Sequence, residues 1–205
     1  MRGFVERTQL ELFGSPPPGA AGPKRRRRAA PPLQPDPADG RWDFTRPWHA
    51  SPHLARARRE LDFVRDHFPE LEGVTVRVGL TKRRGVLGLA SLGATPMIWV
   101  RPRRLRRFAI AHELTHLLHA RGLVPGGEKT CDLYTLARSA AYVDVAPFYL
   151  KVPLAFHEGG AERRVPPAAA QVLHALAREA VEGRTARSAI QRFERQVAES
   201  SAEAT

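Results

Sequence analysis

The residues of this 205-residue chain best suited to chemistry are His112, Glu113 and His116. They sit in Phe108-Ala109-Ile110-Ala111-His112-Glu113-Leu114-Thr115-His116-Leu117-Leu118-His119, an apolar run without proline or glycine, and such a run predicts a helix. Residues four apart on a helix share a face, so the two imidazoles project together, about one turn apart. Two imidazoles at that spacing can hold one zinc ion, and Glu113 beside them can take a proton from a metal-bound water. That is the chemistry of hydrolysis.

A catalytic zinc needs a third protein ligand and keeps its fourth position for water. His119 follows His116 by three residues, and its tilt makes it a poor third ligand for the same ion. It fits better as a support for the site or as a packed histidine at the helix end. A stronger source lies in the turn Pro125-Gly126-Gly127 and the segment Glu128 to Arg138, which predicts a second helix running back along the first. Glu128 and Asp132 are four apart and therefore share its face.

These motifs resemble those of the zincin metallopeptidases. At the metzincin spacing a third histidine would stand at position 122, which is Gly122. In glutamate-type zincins the third ligand is the Glu of a Glu-x-x-x-Asp helix, and the Asp hydrogen-bonds a zinc-bound histidine. Glu128 and Asp132 match that pattern. The resemblance thus implies Zn2+ held by His112, His116 and Glu128, with Glu113 as catalytic base and Asp132 orienting His112 or His116. Aspartate-type zincins keep Asp132 open as the ligand instead. More closely, His-Glu-Leu-Thr-His-Leu-Leu-His followed by Glu-x-x-Cys-Asp-x-Tyr-x-x-Ala is similar to ImmA/IrrE-type peptidases. The basic strand pair upstream resembles SprT-like proteases, which cut proteins crosslinked to DNA and generally use a third histidine. The likeness covers about residues 74–140. Tyr142 and Tyr149 are candidates to stabilise an oxyanion, although core packing is the more ordinary role of each.

The surrounding pattern predicts an α+β fold of the minimal zincin kind, with a short antiparallel sheet packed on the helix of the two histidines. Ser51-Pro52 reads as a helix start, and Leu54, Ala57, Leu61, Val64 and Phe68 recur at helical spacing. Val74, Val76, Val78 and Leu80 alternate as a half-buried strand. Lys82-Arg83-Arg84-Gly85 reads as a basic turn, and residues 86–92 and 96–100 as two further strands. The histidine helix is expected over about 103–121, closed by Gly122. Pro166-Pro167 opens another helix, and a last one follows Gly183. The expected peptidase domain is 48–158 and the helical C-terminal extension 159–205.

The N-terminal region reads differently. Residues 14–47 are rich in proline, glycine and alanine around Lys24-Arg25-Arg26-Arg27-Arg28, which predicts a disordered basic linker. Ahead of it, Gln9-Leu10-Glu11-Leu12-Phe13 within residues 1–13 resembles the peptide by which bacterial proteins dock on the replication sliding clamp. In that resemblance Gln9 bonds at a pocket rim, while Leu10, Leu12 and Phe13 fill apolar pockets.

The net charge is +12, with nine basic and five acidic residues in 1–47, so the excess is spread over the chain. A polyanion partner, most simply DNA, is expected. Arg101, Arg103, Arg104, Arg106 and Arg107, just before the histidine helix, are the candidate phosphate contacts. One cysteine, Cys131, excludes an intramolecular disulfide and a cysteine-rich zinc site. Without an apolar leader or a long apolar run, no membrane partner is expected, and the location expected is cytoplasmic and nucleoid-associated. The leading expectation is a zinc protease acting on a protein substrate at DNA, brought there through the clamp motif. A regulatory protease of the ImmA/IrrE type and a non-catalytic clamp-tethered DNA-binding module are the alternatives.

Overall fold

In a computed structural model, residues 40–81, 88–91 and 96–203 are described, residues 88–91 by their backbone. The clamp-like residues Gln9, Leu10, Leu12 and Phe13, the run at 24–28 and the basic turn at 82–85 lie outside the described residues.

The fold is α+β. Strands β1 (Trp42–Phe44), β2 (Val76–Leu80), β3 (Gly88–Ser91) and β4 (Met97–Val100) form one sheet in the order β1-β2-β4-β3. Helices α1 (Arg46–His49) and α2 (Leu54–Arg65) join β1 to β2. Helices α3 (Arg107–Ala120), α4 (Glu128–Arg138), α5 (Pro167–Val181) and α6 (Ala186–Glu203) follow the sheet.

The sheet differs from the antiparallel one expected. β1, β2 and β4 run parallel, and only β3, at the edge, pairs antiparallel with β4. The cause is topological. Parallel neighbours need a crossover, and α2 carries the chain back so that Val76 pairs with Trp42 and Val78 with Phe44. β1 also lies in the stretch expected as linker, so the folded domain begins before Trp48. Its Trp42-Asp43-Phe44 places both aromatic rings inward and Asp43 outward, but three residues are too short a run for alternation to stand out from a proline-rich surrounding.

α3 lies between two cores. Towards the sheet and α2, Ile110, Leu114 and Leu118 join Leu61, Val64, Val76, Val78, Ile98 and Val100. On its other side, Phe108 joins Leu133, Leu136, Leu150, Leu173, Phe193 and Val197 from α4, α5, α6 and the segment after α4. A helix buried on both sides must be apolar around most of its girth, which is why the run 108–118 shows almost no polar face. The C-terminal helices share this second core and are part of the packing around α4. Each fully buried leucine here contributes about 1.5–3 kcal/mol through its removal from water.

α3 also starts later than expected. Residues 102–104 form a separate 3-10 turn, and Leu105 and Arg106 are extended. That break aims the first amides of α3 at Asp144, whose carboxylate accepts from the backbone N of Arg107 and of Phe108, each at 3.0 Å. A carboxylate from a distant loop thus does the work of a capping side chain, satisfying orphan amides at the positive end of the helix. Asp144→Ala is expected to lower stability by about 1–2 kcal/mol, the usual range for losing such a cap. Thermal unfolding should show a fall in Tm of a few degrees, and an unchanged Tm would show that the helix start does not depend on Asp144.

Candidate metal centre

α3 presents His112 and His116 on one face, and α4, following a tight glycine turn, packs against that face. Gly127 has φ of 103°, a conformation that costs a side chain-bearing residue dearly. Gly126 lies so close to the His119 ring that an added Cβ would stand 2.4 Å from it. These two glycines let α4 fold back at once, so that its first residue, Glu128, reaches the histidines.

The result is a three-atom cluster. Nε2 of His112 and Nε2 of His116 are 3.1 Å apart, and Oε2 of Glu128 lies 3.2 and 3.3 Å from them. Zinc bonds of about 2.0–2.1 Å set tetrahedral ligand atoms about 3.3–3.4 Å apart, so the spacing fits one ion held by all three. The donor chemistry fits as well. His112 Nδ1 donates to Oδ1 of Asp132 at 2.8 Å, and a ring protonated there has a bare lone pair on Nε2. Nε2 of His112 faces an oxygen of Glu128, an arrangement that a positive charge between them, a proton or a metal ion, makes favourable.

Of the two acids, Glu128 meets the inner nitrogens and Asp132 stands behind His112. Asp132 is fully buried, and its second oxygen accepts from the backbone N of Tyr149 at 2.6 Å and of Leu150 at 3.3 Å. One carboxylate therefore fixes both the histidine and the segment that passes over it. His119 stands apart from the cluster, with its Nδ1 donating to the carbonyl of Val124. Cys131 is buried with Sγ 3.3 Å from Nδ1 of His116.

The electrostatics are those of a pocket short of positive charge. Burial favours the neutral form of His112, yet hydrogen bonds to Asp132 and Glu128 outweigh it and push the ring up to about 10. Hydrogen bonds from the two histidines hold Glu128 far below the usual carboxylate range. Burial pushes Glu113 up to about 7, reinforced by Glu128 and Asp132 and opposed by His112. Glu113 is thus a buried carboxylate, only 6% exposed and next to His112 in the chain, whose proton affinity is raised.

The two tyrosines separate cleanly. Tyr142 is fully buried, donates to the carbonyl of Thr135 and packs on Phe68 and His67, so it is a core residue. Tyr149 is 47% exposed and stacks on the His112 ring, 5.8 Å between centres and 23° between planes. Phe148 meets the same ring edge-on. The sequence gives no local pattern for this segment. What brings it here is the backbone grip of Asp132.

The basic residues before α3 divide in the same way. Arg106 pairs with Glu162 and Arg107 with Glu60, each at 2.6 Å, and the Arg107 guanidinium also lies 4.1 Å from the centre of the Phe63 ring. Arg103 and Arg104 are exposed on the 3-10 turn, and Arg101 is half-exposed. Among the described residues no helix is long and apolar enough to cross a membrane.

No family model, curated protein or solved structure matches the chain.

The metal fit predicts one zinc per chain. Glu128→Ala should weaken zinc binding by far more than Asp132→Asn, for which a loss of about 10–100-fold is expected from the removal of a histidine's outer partner. Competition with a chromophoric chelator measures both, and equal small effects would place the ion elsewhere. Stripping the metal should also lower Tm, because an ion bound only by the folded chain adds about 4 kcal/mol at a thousand times its Kd.

Proposed function

We propose that this protein is a zinc-dependent peptidase whose substrates are proteins held at DNA. The observation that carries the peptidase reading is the convergence of His112, His116 and Glu128 on one point, beside the buried carboxylate of Glu113.

A zinc ion in this site supplies Lewis acidity, polarising a carbonyl and acidifying a water. The chain's own groups do the rest. Glu113 takes a proton from the nucleophilic water and later gives it to the departing amine, a pair of transfers suited to a carboxylate near neutrality. Asp132 keeps His112 in one orientation and holds the backbone of Tyr149 over the same ring. Of the two candidate tyrosines, Tyr149 is the one whose ring stacks on His112, so it is our candidate donor to a developing oxyanion. At the sheet margin, β3 lies beside α3, and among the described residues no strand pairs with its outer edge. An extended peptide can add to such an edge through backbone hydrogen bonds.

The DNA part of the reading draws on the net charge of +12 and on Arg103 and Arg104, exposed just before the metal-bearing helix. Phosphate contacts at that end would bring a DNA-bound protein near the cluster. Arg106 and Arg107, committed to Glu162 and Glu60, contribute packing and helix placement instead. Recruitment by a sliding clamp through Leu12 and Phe13 belongs to the same proposal.

Glu113→Gln should retain zinc while losing about 10²–10⁴ in turnover of a DNA-bound test protein, the usual contribution of a general base. Tyr149→Phe should lower kcat with little change in zinc content. Cleavage should rise on addition of DNA and fall with salt, and Arg103→Glu with Arg104→Glu should remove that stimulation. Full activity of the Glu113→Gln protein would end the catalytic assignment, whereas cleavage indifferent to DNA would end the substrate assignment alone.

A further inference from the structure

The outer nitrogens of the two histidines have chemically different partners. His112 Nδ1 meets a carboxylate, Asp132. His116 Nδ1 meets a sulfur, that of Cys131, at 3.3 Å. Cys131 and Asp132 are consecutive on α4, and Glu128 lies one turn before them. One helix thus faces the inner nitrogens with Glu128 and the outer nitrogens with Cys131 and Asp132, one turn further on.

The direction of the sulfur contact decides what His116 can do. A thiol beside an imidazole can donate to Nδ1 or accept from it. If the S–H donates, the neutral ring carries its own proton on Nε2, which then points into the cluster and cannot hold a metal. If Nδ1–H donates to sulfur, Nε2 is bare and can. We infer that Cys131 is a positioning residue of the metal centre: its sulfur accepts the Nδ1 proton of His116 and holds that ring in the tautomer that leaves Nε2 for the ion. This inference rests on the zinc-peptidase reading above. Cys131 is fully buried, so water is poorly placed to replace it. Removing the sulfur leaves a buried N–H without an acceptor, which carries a desolvation cost. A serine hydroxyl can accept the same proton. A sulfur is also a weaker acceptor than a carboxylate, so His116 is the more loosely held of the two ligands.

The test uses the full chain and zinc. Cys131→Ala should weaken zinc binding about 10–100-fold, the usual cost of losing a ligand's outer partner, while Cys131→Ser stays close to wild type. Long-range ¹H–¹⁵N correlation of the zinc-loaded wild-type chain should place the His116 proton on Nδ1, a readout independent of any variant's folding. An alanine variant with wild-type affinity, or a serine variant as weak as alanine, would overturn the inference while leaving the zinc reading intact. A proton on Nε2 of His116 would take that ring off the ion and so overturn both. A wild-type chain that binds no zinc would overturn both.

Discussion

The structure depends on how a helix buried on both sides can carry two ionisable side chains. His112 and Glu113 sit within a segment of α3 whose residues 108–115 are all buried. A charge or unpaired polar group there costs several kcal/mol unless a partner meets it. α4 provides the partners of His112. Asp132 meets the outer nitrogen of His112 and Glu128 the inner one, while Thr135 hydrogen-bonds Thr115 at 2.9 Å one turn further along. The packing of α3 on α4 and the assembly of the His112, His116 and Glu128 cluster are therefore the same event. A helix pair with apolar residues at 112, 128 and 132 would be easier to bury, and a bound cation is the role we propose for the retained polar set.

The remaining elements can be ordered by how they serve that pair. The sheet and α2 press on one side of α3 through Ile110, Leu114 and Leu118. Asp144 fixes where α3 begins. α5 and α6 back α4, so that Leu133 and Leu136 are held from behind while Glu128 and Asp132 face forward. A salt bridge of 2.7 Å between Lys129 and Glu194 ties the first turn of α4 to α6 beside Glu128. Arg138 closes the other end of α4, forking onto Glu70 at 2.8 and 3.0 Å. The rigidity that a metal site needs comes from both ends of one helix being anchored to different parts of the chain.

Much of this was legible in the sequence because it is local. The spacing of His112 and His116, the Pro-Gly-Gly turn and the pair Glu128 and Asp132 are all features of neighbouring residues on regular helices, where side-chain direction follows from position. What was not legible depends on distant contacts. Strand direction around β1 and β2 follows from a crossover, and a three-residue strand such as Trp42-Asp43-Phe44 declares itself only when its partner is known. Asp144 lies 36 and 37 residues from the amides it caps. Tyr149 and Tyr142 look alike in sequence, and tertiary packing alone sends one to the core and the other to the cluster. Cys131 spoke in the sequence only through its count, because its contact with His116 crosses between helices.

The most direct measurement is X-ray absorption at the zinc edge on the full chain loaded with one equivalent of zinc. The account predicts a first shell of nitrogen and oxygen only, at about 2.0–2.1 Å, with the outer-ring scattering of two imidazoles. A zinc–sulfur distance of about 2.3 Å would make Cys131 a ligand. That result, or zinc that fails to bind, would contradict the His112, His116 and Glu128 centre on which the account stands.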